Sequence, residues 1–242
     1  MEEARRRTLH GRRRGKKLRA GQQSLIDTLL PRISVELPAE PIVTPDNDVA
    51  ESPAKIDLAR LFGGALPAGG VWLEVGFGGG EHLVWQAEQH RDVGLIGCEP
   101  YINGVANCLA HIERADVSEN IRLFTDDARF VMQALPPQSL SRVFVLFPDP
   151  WPKTRHHKRR FVQRSNLDVL ARLMTPDAEL RLATDDPSYL PWMVEHACTH
   201  AAFEWLAERP RDWRSRPADW PATRYEEKRI AGIPTFLRLR RR

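Results

Sequence analysis

The sequence predicts an α/β fold built on a seven-stranded, mostly parallel sheet with an antiparallel edge. Three observations lead there. From Val71 onward short apolar runs alternate with amphipathic segments, and strand–helix alternation of this kind means a parallel sheet. Residues 142–147 read RVFVLF, the continuous apolar run expected of a centre strand covered on both faces. Two closing strand candidates, 203–206 and 235–239, lack a long helix between them, which suggests an antiparallel edge.

The elements follow in order. Residues 1–20 read as a flexible basic arm. Residues 22–30 are a short helical candidate stopped at Pro31. Pro31, Pro38, Pro41, Pro45 and Pro53 make 31–53 an extended linker. The chain thus divides into an arm and linker over 1–53 and a main domain over 54–242. A helix over 54–62 would end at Gly63-Gly64. Val71–Val75, Gly94–Cys98 and Ile121–Phe124 are the first three strands, and 142–147 and 179–183 the next two. Between and after them, helices are expected from a Gly-rich turn through His90, then over 101–115, 128–135, 160–174 and 189–200.

The composition is that of an ordinary globular protein: 242 residues, 42% hydrophobic and 28% charged. No apolar run approaches the ~18 residues needed to span a membrane, and the basic N-terminus lacks the apolar stretch of a secretory signal. Cys98, Cys108 and Cys198 are too scattered for a metal or redox pair. They read as reduced thiols in a cytoplasmic protein, with no metal expected. The net charge of +4 conceals three basic segments, 1–35, 151–164 and 238–242, on an otherwise acidic chain. Cations concentrated in this way commonly serve phosphate.

Where the first strand meets its helix, the sequence reads Leu73-Glu74-Val75-Gly76-Phe77-Gly78-Gly79-Gly80-Glu81. Open α/β sheets bind ligands at that place, and glycines let the backbone turn tightly against them. Gly76 and Gly78 fit a dinucleotide fingerprint, but Glu81 stands where its third glycine belongs. The pattern is instead E-x-G-x-G-x-G, and an acid before the glycines suits a cationic ligand better than a pyrophosphate. S-adenosylmethionine carries an ammonium and a sulfonium and no phosphate. Glu99, at the end of the second strand, can accept two ribose hydroxyls. After the third strand, Asp127 is placed to touch an adenine, with Asp126 the competing assignment and a helix N-cap the alternative role for either.

The fourth strand ends in Phe147-Pro148-Asp149-Pro150-Trp151-Pro152-Lys153. Two prolines around one acid hold a carboxylate in a stiff loop at the ligand end of the sheet. Trp151 offers a stacking face for a base. Arg155, Lys158, Arg159 and Arg160 offer cations to phosphates, as do Arg12, Arg13, Arg14, Lys16 and Lys17 in the arm.

On the stretches LEVGFGGGEH, GCEPYINGV, LFPDPWPKTRHHKRRF, LATDD and TRYEEK, the chain resembles the tRNA (guanine(46)-N7)-methyltransferases of the TrmB type, from about Gly21 to its end. The resemblance implies a Rossmann-like, class I S-adenosylmethionine-dependent methyltransferase fold. It implies methyl transfer to N7 of a guanine in the tRNA variable loop. By the same resemblance Glu74, Glu99, Asp127 and Asp149 contact the cofactor, with Asp149 also catalytic. Lys153, Asp185, Thr223, Arg224, Tyr225 and Glu226 contact the substrate. Thr154 stands where many members carry a basic residue, which weakens one phosphate contact. tRNA is the expected partner, with no obligatory protein partner and a monomer or homodimer. Three rivals remain: a nicotinamide-dependent dehydrogenase, a non-catalytic RNA-binding protein, and a methyltransferase with another substrate. The segment from Trp213 to Trp220 is expected to pack rather than to act as a lid.

Overall fold

The structure is a computed structural model that describes residues 8–221 and 232–242. Its centre is a seven-stranded sheet in the order β3-β2-β1-β4-β5-β7-β6. Strands β1 (Val71–Val75), β2 (Gly94–Cys98), β3 (Ile121–Phe124), β4 (Leu140–Leu146) and β5 (Met174–Thr184) run parallel. β7 (Thr235–Arg241) pairs antiparallel with β5, and β6 (Phe203–Trp205) pairs antiparallel with β7. Every residue of β1 and β2 is buried, which explains why these strands show no alternation. The order reverses between β1 and β4, leaving a crevice beyond their carboxyl ends.

Helices α4 (Glu81–Gln89), α5 (Ile102–Ala115), α6 (Ala128–Ala134) and α7 (Arg164–Leu173) connect the parallel strands. Two apolar clusters form the core. One gathers Leu73, Val143, Leu180 and the inner face of α7, and the other Leu95, Phe144 and the inner faces of α4 and α5.

Several local expectations are corrected. Pro31 does not stop a helix. It opens α2 (Leu30–Ile33), which follows α1 (Ala20–Thr28), because a proline in the first turn forfeits no helical hydrogen bond. Residues 31–53 are not simply extended: the Val35 amide donates to Leu123 O at 2.8 Å, and Val35 and Val49 are buried. α3 is a single turn, Leu58–Leu61, capped by Asp57. The helix expected from residue 160 begins at Arg164, after a 3₁₀ helix over Thr154–Arg159. β5 starts at Met174, directly from the end of α7. The stretch 189–200 divides into α8 (Tyr189–Met193) and a π-helical turn, Val194–Cys198. A short α9 (Arg211–Arg214) precedes buried Trp220, which packs on Phe144 and Phe236.

Three of the four C-terminal arginines are engaged by the protein. Arg238 donates to Glu179 at 2.8 Å, Arg240 to Glu204 at 2.7 Å, and Arg241 to the Ala171 carbonyl at 2.7 Å. Among the described residues no helix is long and apolar enough to cross a membrane.

Candidate active site

A cleft of about 750 Å³ opens beyond the carboxyl ends of β1, β2 and β4. The Gly-rich turn forms its floor. Gly76, Gly78 and Gly80 all have positive φ (74°, 56° and 84°), a region that favours glycine. Their roles differ. Gly76 and Gly78 line the cleft, and a Cβ on Gly76 would meet no atom within 4 Å. Gly80 does not line it, against the sequence expectation. It precedes α4, and a Cβ there would lie 2.3 Å from Cys108 Sγ, so it serves helix packing. From behind, Gly104 lets α5 approach the turn: a Cβ would lie 2.3 Å from the Gly78 carbonyl oxygen.

Glu74, Glu99 and Asp127 are among the acids that line the cleft. Glu74 is 3% exposed, and its Oε2 lies 2.7 Å from His82 Nδ1. Glu99 accepts from the Gly78 amide through Oε2 and from the Tyr101 amide through Oε1, both at 2.9 Å. Each oxygen keeps a further lone pair. Burial pushes the Glu99 carboxyl above its ordinary value, against those two N–H donors, with the Asp149 and Glu74 charges adding to the rise. The N-cap alternative describes the Asp127 carboxylate: it accepts from the Arg129 amide at 3.1 Å and pairs with the Arg129 guanidinium. Asp126 accepts from the Asp127 amide and pairs with Arg13.

The loop after β4 forms one wall. It is bent rather than merely extended, with positive φ at Phe147 (50°) and Trp151 (46°) on either side of Asp149. Backbone strain of this kind needs surroundings that enforce it. The Phe147 amide donates to Ala183 O at 2.8 Å, and Arg160 Nε donates to Pro150 O at 2.7 Å. Asp149 lines the cleft as an exposed residue, and partial loss of hydration there raises its pKa. The Arg159 guanidinium sits over the Trp151 ring at 5.2 Å.

Among the proposed phosphate contacts, Arg155 and Lys158 are exposed, and Lys158 and Arg159 line the cleft. Arg160 is the exception and is corrected. It is 1% exposed, bonds Pro150 O and Ser188 Oγ, and lies over the rings of Tyr189 and Trp192. Lys153 is exposed just before the 3₁₀ helix, and Asp185 is half-buried just after β5. Thr223, Arg224, Tyr225 and Glu226 lie outside the described residues.

The arm was expected to be flexible, yet from Thr8 it is laid along the cleft. Arg13 O accepts from the Ile102 amide at 3.0 Å, the Gly15 amide donates to Asn103 Oδ1 at 2.7 Å, and Asn103 Nδ2 donates to Lys16 O at 2.7 Å. Thr8 to Arg12 line the cleft together with Gly76 and Gly78. Arg12, Arg13, Arg14, Lys16 and Lys17 are all exposed, and Arg13 also pairs with Asp126. Sequence reasoning missed this covering strand of chain, and it missed His82 and Arg129. A single histidine in the first turn of a helix carries no signal until its partner is seen.

The donor set fits S-adenosylmethionine in kind. Glu74 offers an anion for an ammonium, Glu99 offers acceptors for two hydroxyls, and the turn is open where glycines replace side chains.

A family model described as a putative methyltransferase matches residues 69–233. The tRNA (guanine-N(7)-)-methyltransferase of Paramagnetospirillum magneticum is 49% identical over 233 residues, covering 96% of this chain and 92% of that protein. The protein of the same name from Rhodospirillum rubrum is 48% identical over 235 residues, covering 96% and 87%. A solved structure described as an antibiotic-related methyltransferase superposes with a TM-score of 0.51 at 15% identity, over 76% of this chain and 92% of its own. That likeness concerns the fold alone. With a model match across most of the chain and near-half identity to full-length relatives, the chain belongs to the tRNA (guanine-N7-)-methyltransferase family.

Proposed function

We propose that the protein transfers a methyl group from S-adenosylmethionine to N7 of the guanine in the tRNA variable loop. The observation that carries this reading is the meeting of Glu74, Glu99 and Asp149 on one cleft whose rim holds Trp151, Lys158 and Arg159. The acids suit the cofactor, and the rim suits a nucleic acid. The names of the relatives point to the same reaction. Reduced thiols and a tRNA substrate go with action in the cytoplasm.

The cofactor supplies a methyl group made electrophilic by its sulfonium. Guanine N7 presents a lone pair and no proton, so no residue needs to act as a base there. Glu99 takes the ribose hydroxyls on the lone pairs that Gly78 and Tyr101 leave, and Glu74 takes the ammonium. Asp127 borders the adenine, with Asp126 held beside it. Asp149 faces the positive charge that moves onto the purine, where a fixed carboxylate in a partly dehydrated cleft is most effective. Asp185, Lys153 and residues 223–226 position the base, and Trp151 stacks on it. Arg155, Lys158, Arg159 and the arm cations hold the phosphates. N7 of A-form RNA is shut in a deep, narrow groove, so a loop guanine fits this open cleft better than a paired one.

The test is transfer of labelled methyl to bulk unmodified tRNA, followed by nucleoside analysis. 7-Methylguanosine as the labelled product supports the reading. A different methylated nucleoside overturns it while leaving the fold and cofactor in place.

A further inference from the structure

His82 is 3% exposed, lies in the first turn of α4 and lines the cleft with Glu74. Its Nδ1 is 2.7 Å from Glu74 Oε2. Its Nε2 is 3.1 Å from Gln86 Nε2, one helical turn away, and that same amide nitrogen is 3.0 Å from the carbonyl oxygen of Asp219. The proton positions follow from these contacts. The Asp219 carbonyl can only accept, so the Gln86 nitrogen faces it as the donor. The same NH₂ then has its second hydrogen for His82 Nε2, which must be an acceptor. A neutral imidazole with an acceptor at Nε2 carries its proton on Nδ1, and that proton points at the Glu74 carboxylate. The imidazole is further held by Phe144, with ring centroids 4.7 Å apart, and by Trp220 at 6.3 Å.

We propose that His82 is a positioning residue for cofactor recognition: as the Nδ1–H tautomer set by Gln86, it orients the Glu74 carboxylate toward the amino-acid end of the cofactor. The inference rests on the reading of Glu74 as the partner of the ammonium. Glu74 emerges from a fully buried strand, so without a donor its carboxylate would have lost water with no replacement. A carboxylate held on one oxygen by a neutral donor keeps one free edge for the ammonium. A second cation in place of the imidazole would neutralise it.

The experiment compares two ligands by calorimetry. S-adenosylhomocysteine carries the amino-acid end, and 5′-methylthioadenosine carries the nucleoside without it. His82→Leu is expected to weaken S-adenosylhomocysteine about tenfold or more while leaving 5′-methylthioadenosine within about twofold. KM for S-adenosylmethionine rises and KM for tRNA stays. His82→Asn, whose amide can donate where Nδ1 does, recovers most of the loss. Gln86→Leu gives a smaller loss of the same selectivity and serves where His82→Leu does not fold. Parallel weakening of both ligands, or an asparagine variant no better than leucine, overturns the proposal. Glu74→Gln separates the two ideas. If it weakens S-adenosylhomocysteine selectively while His82→Leu does not, His82 has no positioning role. If Glu74→Gln shows no selectivity, the ammonium reading of Glu74 falls and the inference falls with it.

Discussion

Arg160 Nε donates a 2.7 Å hydrogen bond to the carbonyl oxygen of Pro150, ten residues earlier. The guanidinium thereby ties the loop that carries Asp149 to α8, through Ser188 and the rings of Tyr189 and Trp192. Arg160→Ala removes the donor that serves Pro150 O and Ser188 and empties the buried space its side chain fills beside Tyr189 and Trp192. The expected cost is on the order of 3 kcal/mol of stability, read by denaturant unfolding, with a fall in kcat as the loop loosens. Arg160→Lys does not restore it, because an ammonium lacks the planar fork.

The inward turn of Arg160 separates it from its neighbours in RNA binding. Arg155 and Lys158 are exposed. Neutralising either is expected to lower the log–log salt slope of tRNA binding by ~0.7–0.9. A folded Arg160 variant leaves that slope unchanged. Filter-binding titrations across a salt series decide it, and an equal drop for Arg160 would contradict its structural assignment.

The sheet was legible in the sequence because apolar runs and glycine or proline breaks are local signals. β1, β2 and β3 occupy the very residues expected, and the antiparallel edge follows from the missing helix before β7. The glycine turn and the loop after β4 were legible as places for the same reason. Their neighbours were not. Whether a cation in Lys158-Arg159-Arg160 faces water or core depends on Tyr189 and Trp192, about thirty residues on. The arm is fixed largely through its own backbone, against Asn103 and Ile102, and backbone hydrogen bonds leave no residue signature. Gly80 fits the glycine pattern but answers to Cys108 on a different helix.

Gly104 offers a test of the packing behind the cofactor floor. A Cβ there would sit 2.3 Å from the Gly78 carbonyl oxygen, a backbone atom that cannot swing away. Gly104→Ala is expected to cost about 1–3 kcal/mol by overpacking and to weaken S-adenosylhomocysteine about tenfold, as the turn is pushed into the cleft. Calorimetry on the folded variant reads the second effect.

Glu99 gives a pH dependence. Burial raises its pKa, against the Tyr101 and Gly78 amides, with Asp149 and Glu74 adding to the rise. A raised carboxyl contributes stability to the free protein below its ordinary value and loses that contribution as pH climbs through the folded value. The ribose hydroxyls favour the ionised form, so the binding trend runs the other way. Cofactor affinity rises as pH climbs through the raised pKa and weakens on the acid side. Glu99→Gln is expected to flatten this acid limb and to weaken binding about 10- to 100-fold at neutral pH. Calorimetric titrations from mildly acidic to neutral pH check both.

The most direct test of the central claim is to map the methylated nucleotide. Unmodified tRNA is treated with S-adenosylmethionine and either the wild-type protein or Asp149→Ala, then reduced with borohydride and cleaved with aniline, which cuts at 7-methylguanosine. The account predicts one strand break in the variable loop with the wild type and about 100-fold less with the variant, in the range of losing one electrostatic stabiliser. Cleavage elsewhere in the tRNA, or an unchanged rate for Asp149→Ala, would contradict it.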